Sequence, residues 1–187
     1  MIAMVLFGAM SLQSCQYNTM VEKQEGVTAQ WSQVENVYQR RADLIPNLVS
    51  TVKGYADFEK ETLIGVIDAR SKATSVNIDP TNLDASSIQK FQAAQDGLSS
   101  ALSKLMVVVE RYPDLKANQN FLELQAQLEG TENRIAVERK KFNESVQSYN
   151  TYIRKFPNSI VAGWFDFDKT AYFEADKGAN KVPEVQF

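Results

Sequence analysis

The chain has 187 residues, 44% apolar and 23% charged, which is enough for one well-filled core and too few for two. A formal net charge of −3 and a pI near 5.1 argue against broad nucleic-acid binding. Histidine is absent, so the commonest general base and transition-metal ligand is missing, and one cysteine excludes an internal disulfide framework.

Residues Ile2 to Met10 are apolar but for Gly8, and Ser11-Leu12-Gln13-Ser14-Cys15 follows. So short a run falls below the roughly 20 residues that cross a bilayer core and fits the apolar region of a signal peptide better. Leu12-Gln13-Ser14-Cys15 resembles a bacterial lipobox, which makes Cys15 the expected lipid-attachment residue, although Gln13 is less usual there. No Lys or Arg precedes the run, so the basic start of a signal peptide is missing from this stretch or lies upstream of it with a longer apolar run, and an uncleaved anchor stays open as the alternative. Either reading ties the chain to a membrane. Residues 1–15 are therefore read as a signal or anchor segment and 16–187 as one helical domain.

From Val27 the apolar positions run Val27, Trp31, Val34, Tyr38, Ile45, Leu48, Val52 and Tyr55, the 3–4 spacing of one helix face. The phase passes through Pro46 without a slip, which predicts a kinked continuous helix over 18–56. Arg41 alone breaks the stripe. A reversal follows near Gly54, because a rod running on to residue 75 would be too long for the later helices to cover. Asp57 is the expected N-cap of a second helix over 58–75, with Glu59 and Glu61 in its first turn and Arg70 and Lys72 in its last. Residues 74–86 read as a loop, and Ile88, Phe91, Leu98, Leu102, Leu105 and Val109 mark a third helix over 85–112, stopped at Pro113. The fourth, over 118–156, repeats Phe121, Leu128, Ile135, Phe142, Tyr149 and Phe156 at intervals of seven. Gly130 lies inside it and predicts a close backbone approach. Pro157 ends it, and the aromatic tail 157–187 is expected to lie extended over the bundle with its rings buried, or else to face the membrane. The fold class is all-α: a four-helix up-and-down bundle with a long kinked first helix and an irregular tail.

Flush antiparallel packing of the first and fourth helices sets Arg41 opposite Glu132, Glu35 near Arg139, and Trp31 against Phe142. The bland reading of these four charges is a pair of buried or half-buried salt bridges that fix register. The sharper one is a polar pocket that binds a ligand, but metal sites in bundles need several inward acids plus histidine. Arg139-Lys140-Lys141 points three ways on a helix and reads as a solvated flank. No glycine-rich phosphate loop, Ser–His pair or CxxC occurs, so no enzyme, cofactor or metal site is expected.

Arg40-Arg41-Ala42-Asp43-Leu44-Ile45-Pro46-Asn47-Leu48-Val49, Val52-Lys53-Gly54-Tyr55-Ala56, Glu110-Arg111-Tyr112-Pro113-Asp114-Leu115, Leu128-Glu129-Gly130-Thr131-Glu132-Asn133-Arg134 and Tyr149-Asn150 together resemble the LemA family of bacterial membrane-anchored helical proteins. The resemblance covers about 17–187. It implies a four-helix bundle held outside the cytoplasm by an N-terminal membrane segment, with no assigned catalytic activity. The short apolar start with its lipobox-like cysteine departs from that pattern. The expected role is an interaction or scaffold protein of the bacterial envelope, with other envelope proteins as partners and no nucleic acid. A small-molecule or lipid-binding module is the alternative, and self-association is left open.

Overall fold

The 3–4 apolar spacing folds as a single rod, α1 (Ile2–Lys53), whose 52 residues rise about 78 Å. The computed structural model describes the backbone of residues 2–55 and 59–174, and within these the side chains from residue 16 onward. The expected anchor segment and Cys15 thus have side chains outside the described set. Among the described residues no helix is long and apolar enough to cross a membrane.

The α1 face buries Val27, Trp31, Val34, Tyr38, Ile45, Leu48 and Val52. Pro46 sits inside the helix. It has no N–H for the carbonyl four residues back, that of Ala42. Arg70 of α2 (Lys60–Ser75) supplies the missing donor: its Nε donates to Ala42 O at 2.8 Å. Arg70 therefore mends the proline gap as well as placing a cation near the end of α2. The chain does reverse after Lys53, and α2 returns along α1 and pairs with α3. Asp57, the expected cap, lies outside the described residues, and Glu59 occupies the cap position without a side-chain capping bond.

Asp84 opens α3 (Ala85–Val109) by accepting the Ser87 N–H at 2.7 Å, which holds its carboxyl below the usual range. This helix ends three residues before the expected stop. Pro113 then takes the first-turn position of a short α4 (Pro113–Lys116), where its missing N–H costs nothing. Asn118 caps α5 (Gln119–Arg154) through the Phe121 N–H at 3.1 Å. With α6 (Asn158–Trp164) there are six helices among the described residues, so the fold is all-α as expected while the four-helix description is too simple. The two short helices carry too few apolar residues to show a period.

α1 and α5 are antiparallel and closely packed. Trp31 meets Phe142 edge-on at 5.5 Å, and at the far end Asn118 donates to Tyr55 Oη at 3.1 Å. The heptad residues from Phe121 to Tyr149 are buried. Phe156 is not: it lies beyond the helix end, where the phase is lost, and is 83% exposed. Gly130 also departs from expectation. It faces solvent, and a Cβ there would meet nothing within 4 Å, so no backbone approaches it.

The buried apolar residues fall into two clusters along the rod. One contains Trp31, Tyr38, Phe91, Ile135, Phe142 and Tyr149. The other contains Ile45, Leu48, Leu98, Leu105, Phe121 and Leu128. Between them, at the level of Arg41, the interior turns polar: Arg41, Gln95 and Thr131 are the buried polar residues there.

Candidate functional site

Arg41 stands at an apolar phase of α1, so the helix drives its guanidinium inward. The residue is 1% exposed. Nη1 donates to the Glu132 carboxylate on α5 and to Ser99 Oγ on α3 at 2.8 Å. Nη2 donates to Gln95 Oε1 at 2.7 Å and to Gln95 O at 3.2 Å, while Nε makes no hydrogen bond. The Tyr38 ring lies 5.1 Å from the guanidinium carbon. Gln95 passes the linkage on, since its Nε2 donates to Ala73 O at the end of α2. One side chain thus joins α1, α3 and α5, and a second extends the joint to α2.

Of the four charges expected to be buried or half-buried, Glu35 and Arg139 are half-buried and the one fully buried is Arg41. Glu132 reaches it from the rim with 47% of its side chain exposed, because position 132 lies at the edge of the α5 apolar stripe rather than its centre. Glu35 is half-buried beside Trp31. Burial pushes its carboxyl up from the ordinary value; the Trp31 indole facing it offsets this in part without closing a hydrogen bond of normal geometry. Arg139 stacks over Phe173 at 5.0 Å and donates to Glu174 O at 2.8 Å. Glu35 and Arg139 line separate grooves, one along α1 and α2, the other between α3 and α5. The reason is local: the tail residue Phe173 lies against Arg139 and draws the guanidinium to itself. The flanking bases do fan outward, with Lys141 on Glu138 at 2.9 Å and Lys140 3.8 Å from Glu144.

The groove between α3 and α5 has a volume of about 710 Å³. Arg41, Tyr38 and Gln95 form its floor, and Asp96, Ser103 and Glu129 lie on its walls. Burial pushes the Tyr38 hydroxyl up to about 12, against the opposing pull of Arg139 and Arg41. Among the described residues no group of three or more His, Cys, Asp or Glu side chains is placed to hold a metal ion.

Three polar anchors were missed from sequence. Gln95 occupies an apolar phase between Phe91 and Leu98, the same signal that marks Arg41. Asn143 and Asn150, one heptad apart on α5, each clamp the tail backbone. Asn150 donates to Thr170 O at 2.8 Å and accepts its N–H at 3.0 Å; Asn143 treats Phe173 the same way at 3.1 and 2.9 Å. These bonds seat Phe173 against Trp31 in a stack at 5.8 Å. The tail is therefore fastened by amides as well as by buried rings.

Known proteins resemble this chain in sequence. The chain is 28% identical to the magnetosome protein MamQ 2 of Paramagnetospirillum magneticum over 186 residues, covering 90% of the chain and 68% of that protein. MamQ of Magnetospirillum gryphiswaldense matches to the same extent. Protein LemA of Metamycoplasma hominis is 26% identical over 160 residues, 86% of the chain and 69% of that protein. The LemA family model matches residues 30–187, a span that takes in Arg41, Gln95, Glu132 and both tail-clamping asparagines, and by that match the chain belongs to the LemA family.

Proposed function

We propose that the chain is a membrane-anchored, non-catalytic interaction or scaffold protein of the bacterial cell envelope, with its helical domain outside the cytoplasm. The observation that carries this reading is the engagement of Arg41. Both terminal nitrogens of its guanidinium bind the chain's own acceptors on α3 and α5, so the most deeply buried charge among the described residues fixes helix register. A rod locked in this way presents its outer faces in constant relation to one another, which suits contact with other proteins. Val107, Leu122 and Val137 are exposed apolar residues on those faces. Anchoring is assigned to residues 1–15, with Cys15 as the lipid-attachment residue. Envelope proteins, or a second copy, are the partners this reading calls for; it needs no cofactor or nucleic acid.

Site-specific photo-crosslinkers at Val107, Leu122 and Val137, activated in cells before membrane solubilisation, test the role. Discrete protein adducts from one face support it, and adducts to lipid alone or none at all overturn it. Labelling with a palmitate analogue tests the anchor: wild type takes the label and Cys15→Ser does not. An unlabelled wild type removes the lipoprotein assignment.

A second reading, an inter-helix module for a small molecule or lipid, is favoured by the open groove above Arg41. Native mass spectrometry of protein extracted from membranes checks it. A bound mass displaced by Ser103→Trp, which fills the groove, supports this reading, and its absence in wild type refutes it.

A further inference from the structure

α6 is seven residues long and can bury only one side. Val161 and Ala162 go inward against the end of α5 and α1, which leaves Ile160 and Trp164, four residues apart, facing out. Trp164 is 65% exposed and Phe165 57% exposed, and Phe156 stands clear of the protein just before the helix. Tyr17 of α1 joins them, its ring 4.9 Å from that of Phe165 and 5.6 Å from that of Phe167. The result is a collar of large apolar and aromatic side chains around one end of the rod. Exposed aromatic clusters of this kind are uncommon on surfaces that meet only water.

Position identifies what covers the collar. Cys15, the lipid-attachment residue of the proposed anchor, precedes Tyr17 by two residues in α1, an axial rise of about 3 Å. The headgroup layer on each side of a bilayer is roughly 5–8 Å thick. A lipid chain on Cys15 holds that residue at the bilayer surface, so Tyr17 and its ring partners sit at the headgroup level, where Trp and Tyr are enriched. The charges nearby, Arg154, Lys155 and Lys169 against Asp166 and Asp168, nearly cancel. Attachment here therefore comes from ring insertion rather than from electrostatic attraction.

We infer that the collar formed by Tyr17, Phe156, Ile160, Trp164 and Phe165 is a seat on the lipid surface of the membrane that holds the chain, fixing the rod's angle to that membrane. The inference rests on the anchored reading above, but it assigns a second contact with lipid that an N-terminal anchor does not require.

The chain has two tryptophans, Trp31 fully buried and Trp164 in the collar, which makes the test direct. The full chain is reconstituted into vesicles of phosphatidylglycerol and phosphatidylcholine, with the phosphatidylcholine brominated near the headgroup end of its chains. Wild type is expected to float with the vesicles and to lose most of its Trp164 emission relative to unbrominated vesicles, equally at low and high salt. Trp164→Phe, a near-isosteric change at an exposed position, should float as well and show no loss, since Trp31 is shielded. Flotation with Trp164 unquenched and open to aqueous acrylamide overturns the seat and leaves the anchor standing. Flotation with Trp164 shielded from acrylamide yet unquenched by bromine also overturns it, because a protein then covers the collar. Failure to float overturns both readings.

Discussion

Replacing Glu132 by leucine isolates what the central joint contributes. Arginine keeps its charge under all ordinary conditions, so the change leaves a cation inside the rod without its counter-charge. Ser99 and Gln95 still accept from it, but neither is charged. Leaving one member of a buried pair uncompensated costs about 3–5 kcal/mol, and because the groove above Arg41 is open to water the expected loss is at the low end, about 3 kcal/mol. The reverse deletion, Arg41→Met, is gentler. Glu132, half-exposed, rehydrates at little cost, and the penalty comes from Gln95, whose Oε1 and carbonyl lose a donor; one unsatisfied buried acceptor costs about 1–3 kcal/mol. Combining the two should recover roughly 1–3 kcal/mol relative to additivity, the range seen for residues in direct contact. Urea unfolding of the full chain in mild detergent, followed by far-ultraviolet circular dichroism with the denaturant slope held common, measures all three. Equal losses from the two single changes, or strict additivity in the double variant, would refute the argument that burial differs across the pair.

Arg70→Met should cost about 1–3 kcal/mol in the same assay by stranding the Ala42 carbonyl, and Pro46→Ala should cancel most of that loss by restoring the helix's own donor. Gly130→Ala should stabilise by up to about 1 kcal/mol, since the added methyl meets nothing and the helix gains propensity; a loss would mean that something does approach that position. Burial raises the Tyr38 hydroxyl to about 12, so the folded chain holds this proton where the unfolded chain, at its ordinary 10, has released it. Its contribution is fully present below pH 10 and is lost as pH rises to about 12; Tyr38→Phe should remove this share of the alkaline limb, roughly 2–3 kcal/mol by the usual conversion, and leave that of Tyr149, whose hydroxyl burial also raises. Asn150→Ala should leave global unfolding nearly intact while proteolysis after Lys169 speeds up several-fold, because both bonds from α5 to Thr170 are lost.

The long elements were legible because their cores repeat. Seven apolar residues spaced over Val27 to Val52, and five more over Phe121 to Tyr149, leave little freedom in helix assignment or in which faces meet. The same periodicity exposed Arg41 as an intruder. It failed wherever a contact depends on a main-chain atom rather than on phase. Nothing in the sequence pattern says that Arg70 will bind a carbonyl freed by a proline on another helix. Nor does it say that Asn143 and Asn150 hold the tail through peptide groups. Glu132 shows a different limit, since a seven-residue period cannot tell the centre of a stripe from its edge. α6 was hidden because seven residues are too few for a period to emerge.

These joints share one property that apolar packing lacks. Leu and Val faces tolerate a shift of one helix along another by a turn, since a greasy stripe offers similar contacts in the next register. Arg41 does not tolerate it. Moving α5 by one turn, about 5.4 Å, carries Glu132 out of reach and brings Leu128 or Ala136 to the guanidinium. Moving α3 by a turn does the same to Gln95, and sliding α2 takes Arg70 from the Ala42 carbonyl. The three polar contacts therefore reject alternatives that the two apolar clusters accept, and each sits where those clusters meet or where Pro46 leaves the first helix one hydrogen bond short. Their consequence is positional. Tyr17 belongs to α1, whereas Phe156 and Trp164 follow α5, so the aromatic collar is assembled only if α1 and α5 keep their alignment. A change at Glu132 that lets α5 slip should thus disturb the Tyr17–Phe165 contact some 36 Å away, taking 24 residues of α1 at 1.5 Å each. That reach distinguishes a register lock from a local salt bridge, whose loss ends at its own neighbours.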